Sequence, residues 1–284
     1  MLLLSLVLAH LVADFILQTD EMVRNKLKYL LKHMLHHFIL YALILVGFWL
    51  FNQSFDNIVE IVIFPLIFII ISHYFIDLLK IKFGDSFKIG KGKNSKLLYF
   101  FILDQLLHIF TLIFSGYVFF KKDVLKITMN LFSVENSRLA PINSLLLICI
   151  IAILATTVSG HFIRILLGSI PNQLLTFEGK YGYKNEWKSS KLNVKGLTEE
   201  YYYSVFSKHD LSRGKLIGYI ERLLVILLTF YNAFPAIGFI VAAKSIARFK
   251  QMDDRDWAEY FLLGTLASMF LGITLGIILR EALT

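Results

Sequence analysis

Stretches of about 20 apolar residues recur along this chain, and few structures accommodate them: such a segment matches a helix crossing a hydrocarbon core roughly 30 Å thick. Eight candidates stand out, at residues 1–17, 34–51, 58–79, 97–120, 143–168, 216–234, 236–249 and 257–279. The first and seventh are short, and the seventh can equally be a re-entrant or tilted half-helix. Hydrophobic residues make up 57% of the 284 and charged ones 18%, against about 45–50% and 25% in soluble domains. The fold class that follows is all-α, a polytopic integral membrane bundle of about eight spans. The first stretch is not read as a signal peptide, because it has no basic leader and carries His10 and Asp14. Cys149, the one cysteine, lies in an apolar run, which leaves no disulfide framework and no cysteine-based zinc ribbon.

In such a chain the formal charge of +8 is first a statement about topology. Residues 18–33, 80–96, 169–215 and 250–256 carry four, six, eight and two Lys or Arg, while 52–57, 121–142 and 231–235 carry none, four and none. The positive-inside rule puts the first set in the cytosol and both termini outside. The expected organisation is a four-span module at 1–120, an outer loop and fifth span at 121–168, a cytosolic segment at 169–215 and a C-terminal module of about three spans at 216–284. Segment 169–215 is rich in Tyr, Trp and Lys, as suits an amphipathic stretch lying on the headgroup layer.

Ionisable side chains within the spans cost roughly 2.5–3.5 kcal/mol each on insertion scales, so each needs a partner or a purpose. Here they recur at one spacing: His10 and Asp14, His33 and His37, His73 and Asp77, Asp104 and His108. Residues four apart share a helix face, so each of the first four spans offers two metal-ligand-type side chains along one stripe. At 1.5 Å per residue, all four pairs fall within roughly 16 Å of the cytosolic ends of their spans. The i, i+4 spacing alone does not require that agreement in depth. Five imidazoles and three carboxylates facing one cavity suit one or two divalent ions: imidazole favours zinc or iron, and carboxylate admits manganese or magnesium. The chemistry that follows is activation of water for hydrolysis, with Asp77 or Asp104 as the catalytic carboxylate.

Other readings of the same residues exist. A lone histidine on an apolar helix is usually a packing residue, and Asp–His pairs can join helices by hydrogen bonds. His36 reads equally well as interfacial. A divalent-cation or proton-coupled transporter would use the same side chains, but it predicts polar residues through the full depth, and 39–51, 61–71 and 109–114 are almost wholly apolar. A third reading is a non-enzymatic membrane partner or sensor acting through 169–215.

The C-terminal half has Glu221 and Arg222 entering the sixth span, Lys244 and Arg248 four apart on the seventh, and Glu259 opening the eighth. Arg222, Lys244 and Arg248 are candidate contacts for a lipid phosphate, against the plainer alternative of snorkelling with glutamate partners. His161 and Arg164 read as interfacial, Thr265 and Ser268 as helix-packing residues, and His209 as a solvated loop residue. Gly84, Gly90 and Gly92 lie in a Lys-rich loop without a phosphate-loop pattern, and no Ser/His arrangement suits a serine protease. Topology accounts for the basic loops, so no nucleic acid is expected.

The run His10-Leu-Val-Ala-Asp14-Phe-Ile-Leu-Gln18-Thr-Asp20, with His73-Tyr-Phe-Ile-Asp77 and Asp104-Gln-Leu-Leu-His108, resembles an uncharacterised bacterial family of multi-spanning membrane proteins, domain of unknown function 3307. The resemblance covers residues 1–120, and the tract from Gly218 to Thr265 looks like the C-terminal part of longer members. It implies a bacterial cytoplasmic membrane. Gln18, Asp20 and Gln105 match the family-like motifs and are expected to orient ligands from behind, as Glu221 would in the C-terminal half; Asp20 can also simply cap the next helix. More distantly, the His/Asp pattern is similar to membrane-bound metal-dependent hydrolases. The expectation is a hydrolase with one or two divalent ions, zinc first and manganese or iron next, held by His10, Asp14, His33, His37, His73, Asp77, Asp104 and His108. Its expected partners are membrane lipid and a lipid-like or phosphoester substrate, with a homodimer left open.

Overall fold

The computed structural model describes residues 1–51, 57–86, 94–120, 139–168, 176–178, 202–204, 208–249, 252 and 255–284. Over these the chain is an all-α polytopic helical bundle. In chain order its helices are α1 (Leu2–Phe15), α2 (Asp20–Arg24), α3 (Lys26–Phe51), α4 (Phe64–Ser86), α5 (Asn94–Phe120), α6 (Pro141–Ile153), α7 (Ser159–Leu167), α8 (Lys208–Phe230), α9 (Phe234–Ala247) and α10 (Arg255–Leu283). A π-helical turn, Val59–Ile63, leads into α4, and another, Leu154–Val158, joins α6 to α7 as one rod. Two three-residue strands, β1 (Thr176–Glu178) and β2 (Tyr202–Ser204), pair antiparallel with Phe177 opposite Tyr203.

Among the described residues, five helices are long and apolar enough to cross a membrane: Lys26–Phe51, Val59–Lys82, Lys96–Phe120, Pro141–Leu167 and Trp257–Leu283. Two apolar helices are shorter, Leu2–Phe15 and Phe234–Ala247. At 14 residues each they reach only about 21 Å, so the seventh apolar stretch is a short helix and the first is no longer than it. Large apolar side chains such as Leu31, Phe110, Phe239 and Phe270 point outward. An apolar shell of this kind is untenable in water and ordinary in lipid, where the backbone groups satisfy one another within each helix.

Several boundaries differ from the sequence reading. Helix α3 starts at Lys26, eight residues before 34, and α4 continues through Lys80 to Ser86, because Lys and Tyr are adequate helix formers and apolarity alone marks only the buried stretch. His209, expected in a loop, lies within α8. Thr19, not Asp20, caps α2: its hydroxyl accepts a bond from the Met22 amide at 3.4 Å, while Asp20 and Glu21 occupy the first turn, where the helix dipole favours acids. The outer loop at 121–138, the glycines Gly90 and Gly92 and most of 169–207 lie outside the described residues.

Helices α1, α3, α4 and α5 pack in alternating directions, α1 on α3, α3 on α4 and α4 on α5. Leu2, Leu6, Leu45, Leu66, Ile69 and Leu112 form their apolar core. The α6–α7 rod joins this group to the rest, touching α1 and α5 on one side and α8 and α10 on the other. Helices α8 and α10 make the tightest pair. A Cβ on Gly276 would sit 2.6 Å from Cβ of Thr229, and one on Gly272 would sit 2.9 Å from Cγ1 of Val225. These glycines are four apart and present backbone to the neighbouring helix, as small residues do where membrane helices approach closely. Asn232, with φ of 57°, makes the turn from α8 to α9, a conformation asparagine tolerates better than most residues. Its side-chain oxygen accepts a bond from Arg280 of α10.

Candidate metal centre

The alternation of helix directions turns four separate stripes into one cluster. His10 and Asp14 lie in the C-terminal half of α1, His33 and His37 in the first half of α3, His73 and Asp77 around the middle of α4, and Asp104 and His108 around the middle of α5. These four stretches meet in one place within the bundle. His10, His33, His37, His73, Asp77, Asp104 and His108 are buried, and the Asp14 side chain is 11% exposed. The histidine rings crowd together, with centroids 3.8 Å apart for His37 and His73, 4.1 Å for His73 and His108, and 5.0 Å for His10 and His108.

Asp14 is the hub. Its Oδ1 lies 2.9 Å from Nε2 of His37, 3.3 Å from that of His33 and 3.9 Å from that of His73, and its Oδ2 lies 3.8 Å from Nε2 of His10. Asp77 Oδ2 is 3.5 Å from Nε2 of both His33 and His73. Three donor groups result, each with ligand atoms within 4.8 Å of one another: Asp14 with His33, His37 and His73; His10 with Asp14 and His108; His73 with Asp77 and His108. Each pair of groups shares one residue, which is how two closely spaced ions would be bridged.

The bonding pattern fits a cation. His108 Nδ1 lies 2.9 Å from the Asp104 carbonyl, which only accepts, so Nδ1 carries the proton and Nε2 presents a lone pair. Among the described residues that Nε2 has no hydrogen-bond partner, nor have Nε2 of His73 or either ring nitrogen of His10, and all are buried. A buried polar atom without a partner costs about 1–3 kcal/mol, and several on one cluster are hard to reconcile with helix-joining hydrogen bonds as the sole purpose. Histidine nitrogens and carboxylate oxygens grouped in this way could hold a metal ion.

Asp104 stands outside the three groups. Its Oδ2 accepts from the Lys80 ammonium and, at 3.2 Å, from Nε2 of Gln105, which also reaches Asp14 Oδ2 at 3.4 Å. Gln105 therefore links two of the carboxylates. Gln18 lines a small cavity of about 10 Å³ beside His33 and Asp77, whereas Asp20 is exposed on α2. His36 lies a step around α3 from the stripe and joins none of the donor groups.

The basic residues of the C-terminal half have other partners. Arg222 is buried; its Nε donates to the Ala155 carbonyl, its Nη2 to Thr156 O at 3.4 Å, and its Nη1 to Ser268 Oγ at 3.3 Å. Both carbonyls belong to the π-helical turn Leu154–Val158, where the regular i to i−4 ladder is interrupted. Lys244 donates to both oxygens of Glu221, at 2.9 and 2.6 Å, and Arg248 lies over the rings of Trp257 and Phe261. Arg222 is thus engaged with the α6–α7 rod and with Ser268 of α10, and Lys244 with Glu221 of α8.

Lys80 and Tyr41 were not singled out from the sequence. Lys80 follows His73 and Asp77 at spacings of seven and three, the same stripe extended by a turn, and its charge hid it among the topology signals. Tyr41 likewise continues His33 and His37; it is fully buried, 5.6 Å from the His37 ring, with its hydroxyl unpartnered.

Residues 2–137 match the model of a family described as Protein of unknown function (DUF3307). The matched stretch, a little under half of the chain, holds every residue of the cluster. The tract from Gly218 onward lies outside the matched region, and the likeness to membrane-bound metal-dependent hydrolases has no counterpart in the match. No curated protein and no solved structure matches the chain.

Proposed function

We propose that the protein is a membrane-embedded hydrolase that depends on one or two divalent metal ions and acts on an amphiphilic, phosphoester-type substrate from the cytosolic leaflet. One observation carries the reading: buried nitrogens of His10, His73 and His108, without hydrogen-bond partners, converge around the shared Asp14 carboxylate. In this reading His10, Asp14, His33, His37, His73, Asp77 and His108 hold the metal, zinc first and iron or manganese next. A divalent ion held there supplies Lewis-acid activation of water.

The chain's own residues divide the remaining tasks. The small cavity beside His33 and Asp77 has a volume of about 10 Å³, close to the space of one water molecule. Asp77 lines it and is the carboxylate placed to take a proton from a water there. Asp104, with its Oδ2 held by Lys80 and Gln105, sets the position of α5 and of the His108 ring rather than exchanging protons. Gln105 keeps Asp14 and Asp104 in register.

The deciding experiment is metal analysis of purified protein after reconstitution with zinc, manganese or iron, followed by assays against phosphomonoester and phosphodiester amphiphiles. Bound metal in about one or two equivalents, with hydrolysis that a chelator abolishes, is the expected result. Protein that stays metal-free with all three ions overturns the reading.

A further inference from the structure

Beside the metal cluster, where α2 meets α3, lies a cavity of about 720 Å³. Its polar wall carries Arg24, Lys26, Lys28, Lys80 and His161, and no acidic side chain lines it among the described residues. Arg24 and Lys28 are exposed and Lys80 is paired with Asp104, while half-buried Lys26 lies in the field of the Lys80 ammonium as well as in that of Asp77 and Asp104 behind it. Lys80 is shared between the two places: it faces the cavity and also donates to Asp104 of the cluster. The opposite wall is apolar, built by Leu97, Phe101 and Ile165 from α5 and α7. The small cavity on Asp77 shares Lys26 and Ile81 with the larger one, so the two spaces adjoin.

We infer that this cavity binds the headgroup and first chain segment of a phosphate-bearing amphiphile, presenting the phosphate to Lys26 and Lys80 at the edge of the His/Asp cluster. The size falls within the range of pockets that enclose small organic ligands, roughly 300–1,000 Å³. Lysine ammoniums bind phosphate as point charges, and a dianion relieves their mutual repulsion. An inorganic ion needs no apolar wall, whereas an acyl or isoprenyl chain does. Excess charge at a helix end is commonly topology alone; here half-buried Lys26 and Lys80 face a partly open cavity whose other side is apolar.

The inference rests on the proposed hydrolase for its meaning but not for its test, which uses protein stripped of metal by chelation and exchanged into a neutral maltoside detergent. Binding of dodecylphosphonate, which cannot be hydrolysed at the carbon–phosphorus bond, is measured by calorimetry beside inorganic phosphate and a neutral dodecyl glucoside. Dodecylphosphonate is expected to bind at least about tenfold more tightly than either control, a difference of about 1.4 kcal/mol. Lys26→Gln should abolish that preference over the glucoside, and Leu97→Gln, at a half-exposed position, should abolish the preference over inorganic phosphate. Equal binding of phosphonate and glucoside, inorganic phosphate binding as tightly as the phosphonate, or unchanged affinity in folded Lys26→Gln would each overturn it. Selective binding by a protein that never takes up metal would leave the subsite standing and remove the hydrolase; metal-dependent turnover without Lys26-dependent binding would do the reverse.

Discussion

Asp14 meets His33, His37 and His73 through one oxygen and His10 through the other, and it belongs to two of the three donor groups, as do His73 and His108. His10, His33, His37 and Asp77 each belong to one. Metal content should divide along that line. Asp14→Asn, His73→Ala and His108→Ala each break two of the groups and should lose most of the bound metal, while His33→Ala breaks one and should retain more, as plasma mass spectrometry on monodisperse protein would show. Equal loss in all four variants would mean a single ion with a common ligand set. Lys80 gives a second expectation. Lys80→Met leaves the buried Asp104 carboxylate with Gln105 alone, and Asp104→Asn leaves an ammonium that is already 28% exposed. The first substitution should therefore destabilise more than the second, by about 1–3 kcal/mol for the stranded carboxylate, read as the difference in thermal midpoint. The four pairs were legible because i, i+4 spacing is a local property that sequence displays directly. Lys80 and Tyr41 were not, since a basic residue after an apolar stretch and an aromatic one inside it are what any membrane helix carries.

Among the elements, the α6–α7 rod and the α8–α10 pair hold the bundle together through features that apolarity cannot reveal. The π-helical turn Leu154–Val158 interrupts the ladder, and Arg222 from α8 donates to two of its carbonyls. From the sequence, Arg222 suggested a phosphate contact, because nothing local announces where backbone carbonyls will need donors from another helix. Arg222→Met should accordingly destabilise the protein by about 1–3 kcal/mol per lost partner while leaving metal content unchanged. Loss of metal in folded Arg222→Met would tie the C-terminal helices to the site and undo this assignment. Close approach at Gly276 makes a sharper case. A side chain there meets Thr229 and the Ile226 carbonyl, which lies 3.2 Å from where its Cβ would be, so backbone must move. Gly276→Val is expected to cost about 1–3 kcal/mol, and Gly276→Val with Thr229→Ala should recover part of it, measured by unfolding in detergent. The boundaries of α3 and α4 escaped the sequence for a related reason: helices continue past the membrane stretch into polar turns, and those turns, Lys26 and Lys80 included, build the cavity wall.

At the scale of the whole molecule, the position of the cluster within the bundle separates a one-sided site from a path. Toward the far end of α1, α3, α4 and α5 the space between helices is filled by Leu2, Leu6, Leu45, Leu66, Ile69 and Leu112. Polar atoms there, such as the Ser115 hydroxyl, are isolated rather than chained. The cluster thus adjoins the basic end, where Lys26 and Lys80 stand, and is closed by apolar side chains on the other. If the positive-inside rule holds, that basic end faces the cytosol, and the turn from α8 to α9 faces outward. The two orientations assign the substrate to opposite leaflets, so the sidedness decides which lipids can reach the site. Single cysteines on a Cys149→Ala background resolve it. Lys32→Cys, at an exposed position near the start of α3, should react with a membrane-impermeant maleimide only after the cells are opened. Tyr231→Cys, 71% exposed in the turn beside Asn232, should react in intact cells. The reverse pattern would place the His/Asp cluster and its basic cavity on the outer leaflet and exclude a cytosolic substrate pool.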